Sequence, residues 1–398
     1  MPNAVVSQSG GPTAVINASL VGVIEQACKE DRIDKLYGGI HAVAGIVKEE
    51  FIDLKTLSLE TLQQLAASPS SALGSSRDKP DKEYCAKILE VLKKRDIRYF
   101  YYIGGNDSAN TCHIINTMAA ESGFELDAFH IPKTIDNDLL VTDHCPGYGS
   151  AAKFVACALM GDDLDNRALP GVKIDVIMGR HAGFLTAAAV LGKQRDDDGP
   201  HLTYFPERPV TMEKFLADVE AVYKKLGRCV IAVSEGICAP DGKTWVQKTA
   251  ETQEKDDHGN IQLSGTGALA DFLSAQVKTK LKIKRVRADT FGYLQRSFAG
   301  LQSPVDVDEA RRCGVEAVKF SMVEQSGSVA MKRTGSGPDY AVELFRTELA
   351  SVAEKTKSMP DEFINKQGNG PTKAFIDYAL PLAGPLPKTQ YLANNKKV

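Results

Sequence analysis

Short apolar runs that end in glycine or a polar turn alternate along the chain with segments whose apolar residues recur at helical spacing. The run NAVVS near the N-terminus leads into TAVINASLVGVIEQACKE, and IRYFYYIGG leads into SANTCHIINTMAAES. Further on, VKIDVIMG is followed by HAGFLTAAAVL, and RCVIAVSEG closes at Gly236. This rhythm predicts strands alternating with helices in mostly parallel sheets, and the 398-residue length predicts two α/β lobes. Polar loops fall at 68–82, 194–200 and 251–267, and neither an internal repeat nor a low-complexity linker is present. Beyond about residue 325 the chain is rich in Gly, Ser and polar turns and ends in ANNKKV; it reads as a C-terminal extension that says little about function.

With 43% apolar and 25% charged residues the chain is globular. The charge balance, 48 Lys+Arg against 51 Asp+Glu, leaves a net charge of −3, which is no footprint for a nucleic-acid binder, so any anion must be held by a local site. Eight cysteines without a C-x-x-C pair predict neither a zinc site nor a disulfide framework, but reduced thiols in the cytoplasm. The N-terminal MPNAVVSQSGG has no basic region before its apolar run, and no stretch approaches membrane-spanning length, which argues against secretion and membrane insertion.

In parallel sheets ligands sit beyond the carboxyl ends of strands, where helix N-termini favour anions. After the first strand come Gly10 and Gly11, before a helix predicted to start near Pro12. They read either as a tight turn or as backbone that lets an anion approach; the G-x-G-x-x-G dinucleotide fingerprint is absent. A second pair, Gly104 and Gly105, precedes Asn106, Asp107 and Ser108, of which Asp107 or Ser108 could simply cap a helix. Two such turns together point to a phosphate cradle. Pro132-Lys133-Thr134-Ile135-Asp136-Asn137-Asp138 is either an Asx-turn cluster or a site in which two carboxylates hold Mg²⁺ and one takes a proton from an alcohol.

Met178-Gly179-Arg180 and Ser234-Glu235-Gly236 place polar groups directly after buried strands, suited to sugar hydroxyls. Arg287, followed by Tyr293 and Arg296, offers guanidinium forks for a phosphate, while the lysines from Lys278 onward read as a solvated face or edge strand. Arg77 in GSSRDKP is a further phosphate ligand or a plain loop residue. The acidic stretch EKDDHGN at 254–260 lacks EF-hand spacing and reads as solvated.

Taken in order, SGGPTAVINAS, GGND, PKTIDND, MGR, SEG and YLQR resemble the phosphofructokinase family, and more narrowly its pyrophosphate-dependent members. The resemblance covers about three quarters of the chain. It implies two similar three-layer α/β lobes with mostly parallel sheets and the active site in the cleft between them. Residues 1–145 would form the donor lobe, 146–298 the sugar-phosphate lobe, 299–324 a helix returning to the first lobe and 325–398 the extension.

The activity implied is reversible, Mg²⁺-dependent transfer of a phosphoryl group from pyrophosphate to the 1-hydroxyl of fructose 6-phosphate. By resemblance Gly10, Gly11, Arg77, Gly105, Asp107 and Lys133 would bind the donor, and Asp136 would be the base, acting with Lys133 and Asp107 as the catalytic set. Thr134, Ile135, Asp136, Met178, Gly179, Arg180, Glu235, Tyr293, Leu294, Gln295 and Arg296 would hold fructose 6-phosphate. Arg287 would reach a neighbouring subunit's site, which implies a homodimer or homotetramer with shared sites. Lys133 and Asp107 look like the pair that marks pyrophosphate users, since ATP-dependent relatives typically have glycine at both positions. A carboxylate facing the α-phosphate of ATP at about 4 Å in a dielectric of about 20 would repel it by roughly 4 kcal/mol, on the order of a thousandfold.

Two positions depart from the family pattern. Asn106 stands where an aspartate usually helps to place Mg²⁺, which would then lean on Asp136 and Asp138, with Asn106 ligating through its carbonyl. Gly171 occupies the place of an arginine before MGR, with Lys173 two residues later. An ATP-dependent enzyme and a non-catalytic sugar-phosphate sensor of the same fold are the rival readings. Asp107 and Lys133 oppose the first, and the presence of Asp136, Asp138, Lys133 and Arg180 opposes the second.

Overall fold

The computed structural model describes residues 1–249, 267–353 and 355–392, so the stretch 254–260 and the terminal ANNKKV lie outside the described residues. The strands in chain order are β1 (Asn3–Gln8), β2 (Leu36–Gly39), β3 (Phe51–Asp53), β4 (Ile97–Gly104), β5 (Asp127–Pro132), β6 (Val172–Ile177), β7 (Leu202–Tyr204), β8 (Cys229–Ser234), β9 (Val286–Thr290), β10 (Gly327–Arg333) and β11 (Val342–Thr347). The first sheet has the order β11-β10-β5-β4-β1-β2-β3, and the second β7-β8-β6-β9. Every pairing in the second sheet is parallel. In the first sheet only the edge strands β3 and β11 run antiparallel to their neighbours. The α/β class with mostly parallel sheets is therefore realised in both halves.

Burial on both faces explains the continuous apolar runs. Ala4 and Val6 pack with Ile16 and Leu20 of the helix Ile16–Ala27, whereas Val5 between them packs with Phe100 and Cys112 on the opposite face. In the second sheet Ile231 and Val233 meet Phe215 and Leu273, and Val230 and Ala232 face Val155 and Leu185. Each fully buried Val, Leu, Ile or Phe among these contributes about 1.5–3 kcal/mol.

The first helix begins at Ile16 and not near Pro12. The intervening residues are held away from helical geometry: Gly10 is left-handed at φ 73°, its N–H donates to the Ser76 carbonyl at 2.9 Å, and the Thr13 carbonyl accepts from the Ser70 N–H at 3.0 Å. The helix Pro304–Val323 lies along the same first helix at very close range. A Cβ added at Gly22 would strike the Arg311 carbonyl, and one at Gly314 the Ser19 carbonyl.

Residues beyond 325, from which little was expected, are structural. They supply β10, paired parallel to β5, and β11 beside it. They also supply the helix Lys373–Ala383, whose Phe375, Ala379 and Leu382 share a core with Val155 and Leu159 of the second lobe. The pattern hides β10 because its buried residues Gly327–Met331 mix glycine and serine with only three apolar side chains.

Candidate active site

Gln8 pairs with Ile103 and Gly104 with Pro132, so the segments after β1, β4 and β5 leave the sheet side by side. Beyond them opens a cavity of about 190 Å³, lined by Gly10, Gly11, Arg77, Gly105, Asn106, Asp107, Lys133, Thr134, Asp136 and Asp138, with Ser9, Ser76 and Asp78 added by the structure. His130, hidden from the pattern inside the run AFHI, locks two of these turns together. Its Nε2 donates to the Gly104 carbonyl at 2.9 Å, and that carbonyl also accepts from the Lys133 N–H at 2.9 Å. Burial lowers the pKa of His130 to about 4, so it serves as a neutral strut.

Lys133 is 4% exposed, and its Nζ donates to the Gly11 carbonyl at 2.6 Å. A Cβ on Gly10 would lie 3.3 Å from the same Nζ, and Gly10 also has the positive φ that only glycine adopts freely. Burial, then the positive fields of Arg296 and Arg77, lower the lysine's pKa to about 8. It remains a cation at neutral pH, poorly solvated, its loss of water only partly offset by the fields of Asp136 and Asp138.

The carboxylates of Asp136 and Asp138 show the opposite deficit. Burial raises both to about 6; Glu235 adds to the rise at Asp136, and Asp136 adds to it at Asp138. Thr134 orders the pair: its hydroxyl donates to Asp138 Oδ1 at 3.3 Å and accepts from the Asp136 N–H at 3.1 Å. Two crowded carboxylates with oxygen donors around them fit a hard divalent cation. A second acidic group, Asp162, Asp175 and Asp289, lines no part of the cavity and already surrounds the Lys173 ammonium.

Neither Asp107 nor Ser108 caps the helix Asn106–Glu121. Gly105 holds the cap position without a side-chain hydrogen bond, and Asp107 lies in the first turn. The Asp107 carboxylate pairs with Lys79 Nζ at 3.1 Å, a partner that sequence reasoning passed over because Lys79 stands in an unremarkable polar loop. Asn106 Oδ1 accepts from the Asp107 N–H at 3.2 Å, and its Nδ2 donates to the Lys355 carbonyl at 3.4 Å.

The expected sugar-side residues are placed less uniformly. Arg296 leans over the donor turn, its Cζ 3.1 Å from where a Gly11 Cβ would stand and 4.5 Å from the Tyr293 ring centroid. Arg180 and Glu235 are near enough to Asp136 to bias its charge in opposite directions. Gln295, by contrast, is buried in structural bonds: Oε1 accepts from the Met178 N–H at 3.3 Å and Nε2 donates to the Gly292 carbonyl at 2.8 Å. Ile135 belongs to the apolar core, while Tyr293 and Leu294 are exposed. Arg287 lies exposed on the edge strand β9 and does not line the cavity. Gly171, at the missing-arginine position, packs against Arg285, whose carbonyl lies 2.5 Å from the place of an added Cβ.

A cavity of about 190 Å³ at three parallel strand ends, lined by a buried lysine and two nearby aspartates, has the chemistry to take a phosphorylated ligand with a divalent cation. The chain matches the phosphofructokinase family over residues 3–321 and belongs to it. It is 53% identical to the pyrophosphate–fructose 6-phosphate 1-phosphotransferase of Rhodospirillum rubrum, covering 98% of this chain and 97% of that one. It is 40% identical to the protein of the same name from Halomonas elongata, over 96% of this chain and 91% of the relative. The solved pyrophosphate-dependent phosphofructokinase of Nitrosospira multiformis superposes with a TM-score of 0.85 at 33% identity, covering 99% of this chain and 94% of that one. Membership of this family brings a general requirement for a divalent cation. Among the described residues no helix is long and apolar enough to cross a membrane.

Proposed function

We infer that this protein reversibly transfers a phosphoryl group from pyrophosphate to the 1-hydroxyl of fructose 6-phosphate, forming fructose 1,6-bisphosphate and phosphate. The observation that carries the reading is Lys133: a buried ammonium in a cavity of about 190 Å³ opposite Asp136, with Asp107 also lining the cavity. The 1-hydroxyl oxygen attacks the nearer phosphorus, the bridging P–O bond breaks, phosphate leaves, and Asp136 takes the hydroxyl proton. Lys133, Arg77 and Arg296 neutralise the charge on the transferring group, while the glycine turns at Gly10, Gly11 and Gly105 let backbone approach the donor. Asn106, Asp136 and Asp138 would hold Mg²⁺, which supplies further neutralisation of the pyrophosphate oxygens when bound.

Thr134, Met178, Gly179, Arg180, Glu235, Tyr293 and Arg296 hold the sugar phosphate in this reading, with Ile135, Leu294 and Gln295 shaping the loops that carry them. Arg287, exposed on its edge strand, reaches the site of a second copy in a homodimer or homotetramer. The eight unpaired cysteines suit a cytoplasmic enzyme. Initial rates of purified protein with Mg²⁺, fructose 6-phosphate and either pyrophosphate or ATP test the reading. Turnover with pyrophosphate in both directions is expected, and a preference for ATP would overturn the choice of donor.

A further inference from the structure

Asn137 separates the two aspartates that line the cavity, yet it is fully buried and does not line the cavity itself. Its φ of 60° is left-handed and turns its side chain to the back of the loop. There Oδ1 accepts from the Cys145 N–H at 3.0 Å, and Nδ2 donates to the Tyr378 hydroxyl at 2.7 Å. The same hydroxyl donates to the Asp143 carbonyl at 2.8 Å. One phenol therefore joins the tip of the aspartate loop to its far end. The Tyr378 ring is itself held, 5.1 Å from the Phe363 ring and 5.2 Å from the Arg333 guanidinium, which also donates to the Tyr378 carbonyl at 2.7 Å.

Resting on the function proposed above, we propose that Tyr378 is a positioning residue for phosphoryl transfer, acting through Asn137 to keep Asp136 and Asp138 turned into the cavity. Two half-buried carboxylates in one short loop repel each other, and an unrestrained loop would relax by turning one of them away. A left-handed asparagine is a weak restraint alone. Anchored at both ends of its carboxamide, it reverses the chain at the one point that presents both neighbours to the same side. Overall loop structure has a second support in Lys357, whose N–H donates to the Asp138 carbonyl at 2.6 Å and whose Nζ donates to the Thr142 and Asp143 carbonyls at 3.0 and 3.1 Å. Loss of the phenol hydroxyl should therefore misorient the carboxylates and leave the fold intact.

The test uses the full-length protein with pyrophosphate, Mg²⁺ and fructose 6-phosphate, comparing Tyr378→Phe, Asn137→Gly and the double variant. Glycine accepts the left-handed backbone and removes the carboxamide with both of its hydrogen bonds. Each single variant should lower kcat about tenfold, a modest share of what misplacement of a reacting group costs, with the KM for fructose 6-phosphate within about twofold. The double variant should be no slower than the slower single, because both substitutions break one linkage. A merely structural tyrosine would lower the melting temperature and leave kcat unchanged below it. The proposal is overturned if Tyr378→Phe keeps wild-type kcat, or if the two losses multiply. If Tyr378→Phe does not fold, Asn137→Gly decides alone by the same split between kcat and KM. A wild type inactive with pyrophosphate would sink the function reading, whereas an active wild type matched by its variants would sink only this inference.

Discussion

Asp107 lines the cavity proposed for the small donor, and its replacement measures how much of donor choice is charge and how much is shape. Its side chain is 58% exposed and lies 3.1 Å from the Lys79 ammonium. Two like charges 4 Å apart repel by about 4 kcal/mol at an effective dielectric of about 20, but by only about 1 kcal/mol in water. A largely solvated carboxylate with a cation beside it belongs at the lower figure, about fivefold in affinity. The thousandfold expected without knowledge of Lys79 is therefore too large. Forcing a phosphate into the volume of the side chain adds about 1–3 kcal/mol, of the order of tenfold or more. Asp107→Asn, which keeps the shape, should raise kcat/KM for ATP by about fivefold. Asp107→Gly, which also clears the space, should raise it at least about tenfold further. Initial rates at saturating fructose 6-phosphate and Mg²⁺, with ATP varied, give both ratios. Equal gains in the two variants would show that shape plays no part, and a hundredfold gain from asparagine alone would show that exposure and Lys79 do not screen Asp107.

Asp136→Asn should lower kcat at least about a hundredfold, with a much smaller change in the KM for fructose 6-phosphate; near-normal turnover would remove it as the base. The profile of kcat/KM against pH should be bell-shaped. Activity is lost below about pH 6 as Asp136 gains a proton and above about pH 8 as Lys133 loses one, and a profile flat to pH 10 would contradict the buried ammonium. Arg287→Ala should raise the KM for the sugar phosphate through loss of a charge-assisted contact of about 1.5–3 kcal/mol. Mixing it with Asp136→Asn subunits should restore some activity, and a fully active monomer in light scattering would rule out a shared site.

Most of the strands that carry the cavity can be read from the chain, because a parallel strand buried on both faces needs an unbroken apolar run and its exit needs a turn. The glycine pairs at 10–11 and 104–105 and the loop 132–138 follow such runs directly, so their place at a common end of a sheet is a local property of sequence. Whatever depends on partners distant in the chain is not local. That Lys79 tempers Asp107, that His130 braces Gly104, and that Gln295 serves the backbone are all set by contacts across the fold. The tight helix contact of Gly22 on Arg311 and Gly314 on Ser19 joins residues almost three hundred positions apart. The residues beyond 325 illustrate the limit best. Their polar, glycine-rich opening gives little sign of structure, yet they add two strands to the first sheet, fill the second core with Phe375 and place Tyr378 behind the aspartate loop. Sequence by itself determined which chemical groups stand at the strand ends. Only the tertiary structure decided which of them are buried, paired or aimed, because charge and orientation are set by whatever packs against them.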